Sequence, residues 1–177
     1  MASREITVEP YSLDWPERFQ QEAGKISDLL RLEGARLHHI GSTAVPGLAA
    51  KPVIDMLMQV PSLAELDAVS PRLEALGYLA KGEFGIGGRR YFQKGGAQRT
   101  HHLHCYQAGS LEIRRHLAFR DYLRAHPDVA RAYGDIKLEG AALCQHDIQR
   151  YMAHKNDFIQ CHEALALTWY DSVGSRD

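Results

Sequence analysis

The stretch His39-Ile40-Gly41-Ser42-Thr43-Ala44-Val45-Pro46-Gly47-Leu48-Ala49-Ala50-Lys51-Pro52-Val53-Ile54-Asp55 decides how the rest of the chain is read. Ala35 to Ile40 reads as a buried strand that runs into a turn of small residues, Gly41-Ser42-Thr43. A second apolar run, Val53 to Val60, carries one carboxylate, Asp55. Gly41 removes a Cβ where backbone must come close to another group. Ser42 and Thr43 bring hydroxyls and backbone N–H groups that can cradle an anion. A carboxylate on the following strand is a hard oxygen ligand suited to Mg²⁺. Anion cradle and metal carboxylate together are the minimum equipment for handling a nucleoside triphosphate.

Outward from this stretch, the N-terminal side predicts a short extended piece at Ile6-Thr7-Val8 and an amphipathic helix over residues 14–32. Asp14 is its N-cap, and Trp15, Phe19, Ala23, Ile26, Leu29 and Leu30 recur at helical spacing. Gly34 ends it, and strands follow at about 35–41 and 52–60. Ser62-Leu63-Ala64-Glu65 has the form of a capping box, opening a helix that Gly77 stops. Further β segments fall at Tyr78-Leu79-Ala80, around Arg89 to Gln93, and from Thr100 to Tyr106, the last two joined as a hairpin through Gly95-Gly96-Ala97. From Ser110 onward three helices fit, at about 110–125, 127–142 and 146–168, and the tail from Val173 to Asp177 is polar. The expectation is an α+β fold: one domain over 1–177, with an α/β core over about 1–108, a mixed and largely antiparallel sheet backed by two helices, and a helical segment over about 109–170.

Several side chains are candidates for chemistry. Asp55 is flanked by Val53, Ile54, Met56, Leu57 and Met58, so its strand is buried on both faces, where a lone carboxylate is costly. It must meet a metal, a set of donors, or an arginine or lysine. His102 and His104 stand two apart on a strand and therefore share a face. Three roles are open to them: chelating a transition metal with Asp55, donating to a phosphate, or facing solvent at an edge. His39, on the face of Leu37 and Gly41, is expected nearer the site than His38. Lys51, Arg89, Arg90, Arg115, Arg120 and Lys155 are the basic candidates for a phosphate, each weighed against a solvated side chain. Tyr78, Tyr91 and Phe92 can stack on a base or simply fill the core. The chain holds no nucleophile–base pair of the hydrolase kind and no Walker-type glycine loop.

The layout of Gly41-Ser42 followed by a strand carboxylate resembles the nucleotidyltransferase superfamily. Gly41 through Pro52 is similar to the hallmark of the GrpB family. His102-Leu103-His104, the run His116-Leu117-Ala118-Phe119-Arg120-Asp121-Tyr122-Leu123-Arg124, and Tyr151 with Lys155 fit the same family, so the resemblance covers roughly Pro10 to His162. It implies a nucleotidyltransferase-like fold, with Gly41, Ser42, Thr43, Lys51, Arg120 and Lys155 holding a nucleotide or phosphorylated small molecule. Asp55, His102 and His104 are then the catalytic and metal residues, and Mg²⁺ or Mn²⁺ is expected ahead of Zn²⁺. At the second acidic position of the superfamily signature this chain has Leu57. Two-metal transfer needs several carboxylates to hold cations about 4 Å apart. Metal-dependent nucleotidyl transfer therefore stands beside an alternative, a non-catalytic binding or accessory module. A resemblance to a segment fused to dephospho-CoA kinase links that alternative to coenzyme A metabolism.

Composition narrows the classes further. The chain has 177 residues, 45% of them hydrophobic, and a net charge of −1, which argues against bulk nucleic-acid attraction. The N-terminus lacks an apolar signal-like region, so a cytoplasmic protein without a membrane partner is expected. Cys105, Cys144 and Cys161 are odd in number and lack Cys-x-x-Cys spacing, which argues against a disulfide framework or zinc ribbon. Ten histidines are the compositional oddity.

Overall fold

The computed structural model describes residues 7–143 and 148–174, except for the side chains of 141–151. Ile6, Cys144, the Tyr151 side chain and residues 175–177 thus lie outside the described residues. The fold is α+β. Helix α1 (Asp14–Leu30) precedes β1 (Arg36–Ile40), and a 3-10 turn over Ser42–Ala44 leads to β2 (Ile54–Val60). Helix α2 (Leu63–Val69) continues into a 3-10 segment (Ser70–Leu76), then β3 (Tyr78–Ala80), β4 (Arg89–Lys94) and β5 (His101–Gln107). Helices α3 (Leu111–Ala125), α4 (Pro127–Leu143) and α5 (Ile148–Val173) complete the chain. No helix among the described residues is long and apolar enough to cross a membrane.

The strands form a five-stranded sheet in the order β1-β2-β5-β4-β3. The β1–β2, β4–β5 and β3–β4 pairs are antiparallel, whereas β2 and β5 run parallel. That parallel pair sets Asp55 against His102 and Leu57 against His104. Because side chains alternate, Ile54, Met56, Met58, Leu103 and Cys105 fall on one face and pack beneath Trp15, Phe19, Ile26 and Leu30 of α1 and Leu66 of α2. Leu57 and Tyr106 fall on the other face, where Ile113 of α3 covers them together with Ile40.

The two faces are therefore different in kind. One is an apolar core with a single buried charge, Glu22 of α1, which accepts hydrogen bonds from the Tyr78 hydroxyl and the Lys94 ammonium, each at 2.8 Å. The other carries Asp55, His102 and His104 and is roofed by the helical segment. A second apolar cluster joins Val45 and Leu48, from the chain between β1 and β2, to Tyr122, Leu123, Ala130, Tyr133 and Ala166 of the three C-terminal helices. The site loop is thus gripped by the helices opposite it.

Several local expectations are corrected. Leu13, not Asp14, holds the N-cap position of α1, and the Asp14 N–H donates to the Ser12 hydroxyl at 3.2 Å. Arg31, in the left-handed region at φ 47°, ends that helix ahead of Gly34. Ser62 makes no side-chain cap, so the capping box does not form; Gln107 Oε1 takes the Leu63 N–H instead, at 3.4 Å. Pro71 tightens the expected long second helix into 3-10 geometry from Ser70, since its ring and missing N–H do not suit an α-helical interior. His39 pairs with Met56 and so faces α1, not the Asp55 side; its ring stacks on Phe19 at 4.9 Å.

Two buried histidines make the fold acid-sensitive. Burial holds His39 at about 4, with Arg124 adding to the effect. Burial likewise holds His101 at about 4, against the opposing pull of Glu22. An unfolded histidine titrates near 6.5. Below that pH the unfolded chain therefore takes up protons that the folded chain refuses. These two rings are expected to make the melting temperature, followed by circular dichroism, fall as pH drops from about 6.5 toward 4. The loss is on the order of 1–3 kcal/mol per ring, smaller in His101→Gln.

Candidate functional site

Gly41 ends β1 at φ 71°, a conformation that L side chains rarely adopt, and a Cβ there would meet Asp55 Oδ2 at 2.9 Å. Its lack of a side chain is what lets the turn lie against the carboxylate. The 3-10 turn that follows, Ser42–Ala44, is braced from below by His39, whose Nε2 lies 2.9 Å from Thr43 Oγ1. It is braced from the side by α3, where Arg120 donates to the His39 carbonyl at 3.2 Å and Arg124 to the Ala44 carbonyl at 2.8 Å.

Asp55 is met by two imidazoles. His102 Nδ1 lies 3.1 Å, and His104 Nε2 3.5 Å, from the same oxygen, Oδ1. Burial pushes this carboxyl up, but the hydrogen bonds and positive charge of His102 and His104 more than offset it and hold the group well below the usual carboxylate range. The side chain keeps 32% of its surface open, so it remains reachable. Ligand atoms of Asp55, His102 and His104 all lie within 4.8 Å of one another, close enough to converge on one ion. The far ring nitrogens, His102 Nε2 and His104 Nδ1, are buried without a hydrogen-bond partner among the described residues. An ion on the near nitrogens would move each proton to the far side, where metal-binding histidines usually find an acceptor. The donor set fits a divalent metal, and that missing acceptor weakens the fit.

Behind His104 the sheet face continues through aromatic and imidazole rings, with Tyr91 at 5.0 Å and His116 at 5.8 Å between centroids. Burial, then the charge of Arg115, holds His116 at about 4, so the ring is neutral at physiological pH.

In front of Asp55 opens a cleft of about 230 Å³. Gly41, Ser42, Thr43, Lys51, Asp55, His102 and Lys155 all line it, joined by Tyr133 and Lys137 of α4. His104 sits behind this lining, and Arg120 lies apart from it, paired with Asp121 at 2.8 Å. Arg89 donates to the Glu83 and Phe84 carbonyls, Arg90 pairs with Asp67, and Arg115 bridges Glu112 and Glu163, so none of the three turns to the cleft.

Lys137 is a site residue that the sequence reading does not single out. Its ammonium hydrogen bonds the Ser42 hydroxyl and stands 4.3 Å from the Tyr133 ring centroid. Ala130, Tyr133 and Lys137 follow helical spacing and are all buried, so the available signal is a lysine on the apolar stripe of its helix. Burial, then the charges of Lys155 and Lys51, hold Lys137 down at about 7, against a favourable pull from Asp55. Burial and Lys51 lower Lys155 as well. The cleft thus concentrates positive charge around a turn built from small residues.

A protein-family model described as GrpB protein matches residues 5–164. The chain is 44% identical over 166 residues to the UPF0157 protein YqkA of Bacillus subtilis, covering 94% of this chain and 48% of YqkA, so it spans about half the length of that relative. A crystal structure of conserved protein GrpB from Enterococcus faecalis superposes with a TM-score of 0.86 at 44% identity, covering 93% of this chain and 99% of that one. The Cid1 poly(U) polymerase bound to MgGTP superposes with a TM-score of 0.51 at 17% identity, over 71% of this chain and 42% of that one, a likeness of fold alone. A dephospho-CoA kinase of Mycolicibacterium paratuberculosis is 28% identical over 204 residues, 98% of this chain and 50% of that protein.

Two substitutions probe this geometry. Gly41→Ala places a methyl group against Asp55 and strains the turn; urea unfolding is expected to show a loss of about 1–3 kcal/mol. Lys137→Met removes a buried charge and is expected to stabilise the ligand-free protein by about 1–4 kcal/mol at pH 7. Because the folded protein protonates Lys137 only near 7, its cost grows as pH falls from about 10.5 to 7. The gain in melting temperature should therefore be largest at and below pH 7 and fade toward pH 10.5.

Proposed function

The chain belongs to the GrpB family and has a nucleotidyltransferase-like fold, and from that premise we propose that its cleft binds a nucleotide or other phosphorylated small molecule beside one divalent metal. The observation that carries the reading is the convergence of Lys51, Lys137 and Lys155 on the Gly41–Thr43 turn, in a cleft whose one carboxylate among the described residues, Asp55, is already engaged by two imidazoles. Amines gathered in this way repel one another and oppose their own burial, and a bound phosphate relieves both costs. The backbone N–H groups and hydroxyls of the turn add donors of the kind that phosphates take.

Asp55, His102 and His104 would hold the metal, which would supply a Lewis acid beside the phosphate. Imidazole ligands suit Mn²⁺ and Zn²⁺ better than Mg²⁺, which prefers an all-oxygen shell. Leu57 favours binding over nucleotidyl transfer. It is fully buried in an apolar cluster with Ile40, Tyr106 and Ile113, so the position of the usual second carboxylate offers no ligand. The likeness to a dephospho-CoA kinase makes coenzyme A and dephospho-CoA reasonable members of the ligand panel, alongside nucleotides.

The test is a thermal-shift series with pyrophosphate, the four ribonucleoside triphosphates, coenzyme A and dephospho-CoA, each without metal and with Mg²⁺, Mn²⁺ or Zn²⁺. A ligand present at about 100 times its dissociation constant adds roughly 2.7 kcal/mol. Stabilisation by at least one phosphorylated ligand is expected, its metal-dependent part lost in Asp55→Asn and its metal-free part reduced in Lys155→Met. A melting temperature that no phosphorylated compound moves would overturn the reading.

A further inference from the structure

The three lysines of the cleft are not equivalent. Lys51 is exposed, Lys155 is intermediate and Lys137 is buried, so they grade from the mouth of the cleft toward its wall. An amine that only neutralises phosphate can sit exposed at the mouth, as Lys51 does. Lys137 is placed where charge is hardest to keep. It comes from α4 and has no carboxylate within ion-pairing distance among the described residues. The Tyr133 ring covers one side of it, and its Nζ rests on the Ser42 hydroxyl. The charged groups facing it are Lys155 from α5 and Lys51 from the loop, both unfavourable, and Asp55 from β2, which is favourable but shared with His102 and His104.

Resting on the reading of the cleft as a phosphate site, we propose that Lys137 is its reactive amine and condenses with the carbonyl group of a phosphorylated aldehyde or ketone to form an imine. Desolvation and a neighbouring cation are the two means by which proteins turn lysine into a nucleophile, and both act on this residue. At neutral pH an exposed lysine is free amine on the order of once in a few thousand molecules. Lys137, held near 7, is free amine in a large share of them.

The step balances without a metal, oxidant or reductant. The Nζ lone pair attacks the carbonyl carbon while the C=O π pair moves to oxygen, which takes up a proton. The carbinolamine then expels that oxygen as water, nitrogen gives up its two hydrogens in the course of the sequence, and a C=N bond remains. Ser42 Oγ, in hydrogen-bond contact with Nζ, is placed to pass a proton between nitrogen and the departing oxygen. Lys51, Lys155 and the Gly41–Thr43 turn hold the phosphate meanwhile.

The experiment treats the full chain with pyridoxal 5′-phosphate or with unphosphorylated pyridoxal, reduces with borohydride, and maps the modified peptide by mass spectrometry. Labelling is expected at Lys137, faster with the phosphorylated aldehyde by about tenfold or more, the least that one charge-assisted phosphate contact supplies. Pyrophosphate should protect. Lys137→Arg, which keeps the charge and cannot form an imine, should lose the label, whereas Lys155→Met should still be labelled at Lys137 but only at higher aldehyde concentration. If pyrophosphate raises the melting temperature and yet the label falls on Lys51, Lys155 or surface lysines, the imine proposal is wrong and the phosphate site stands. If both aldehydes label Lys137 at equal rates and pyrophosphate neither protects nor stabilises, the phosphate site fails and the proposed substrate class fails with it.

Discussion

The pairing of one carboxylate with two imidazoles across the parallel β2–β5 junction is the contact on which the site depends. Parallel strands in register place Asp55 beside His102 at hydrogen-bond distance, and the two-residue repeat of β5 then brings His104 to the same oxygen. The arrangement answers a constraint set by burial, since a carboxylate in a strand as apolar as Ile54-Asp55-Met56-Leu57-Met58 needs donors of its own. It also fixes the turn on the neighbouring strand. Gly41 lies so close to Asp55 that only a residue without a side chain passes, and the turn and the carboxylate are therefore held as a unit.

The helical segment supplies what the sheet lacks. The sheet and its turn offer donors and a carboxylate, whereas the buried amine of the cleft comes from α4 and the half-buried one from α5. Both helices are tied to the loop they face through Val45 and Leu48, and α3 holds two of that loop's carbonyls with arginines. The helical third is consequently one wall of the cleft.

Much of the fold is legible in the sequence because it rests on local patterns. Alternation and helical spacing locate the strands and the three C-terminal helices, and the long Gly41-to-Pro52 block points to the family. The misreadings fall where one local signal loses to a tertiary partner or to a second local signal. Ser62 has the form of a cap, but Gln107 from β5 supplies the contact; Pro71 overrides the apolar periodicity around it. The cleft lining is legible in part: the residues of the turn, Asp55 and His102 stand on or beside adjoining strands, and Lys51 and Lys155, named from the sequence as basic candidates, line the cleft with them. Arg120, expected to hold phosphate, is instead placed as a brace, because a helix-borne arginine reveals its partner only once the helix is docked. Lys137 stays hidden for the converse reason: a single lysine among alanines and tyrosines gives no motif, and its meaning appears only when the stripe it interrupts is seen to face the cleft.

Arg120 has one more consequence. Among the described residues, strand β1 pairs with β2 on one side only and is an outer strand of the sheet. Such an edge is a template on which another chain's strand can add, and proteins commonly blunt it with a charged or bulky cover. Arg120 donates to the His39 carbonyl of this strand, and α3 touches it, so the strand carries a charged cover. The contact that steadies the loop thus also lays a charged side chain on the outer strand of the sheet.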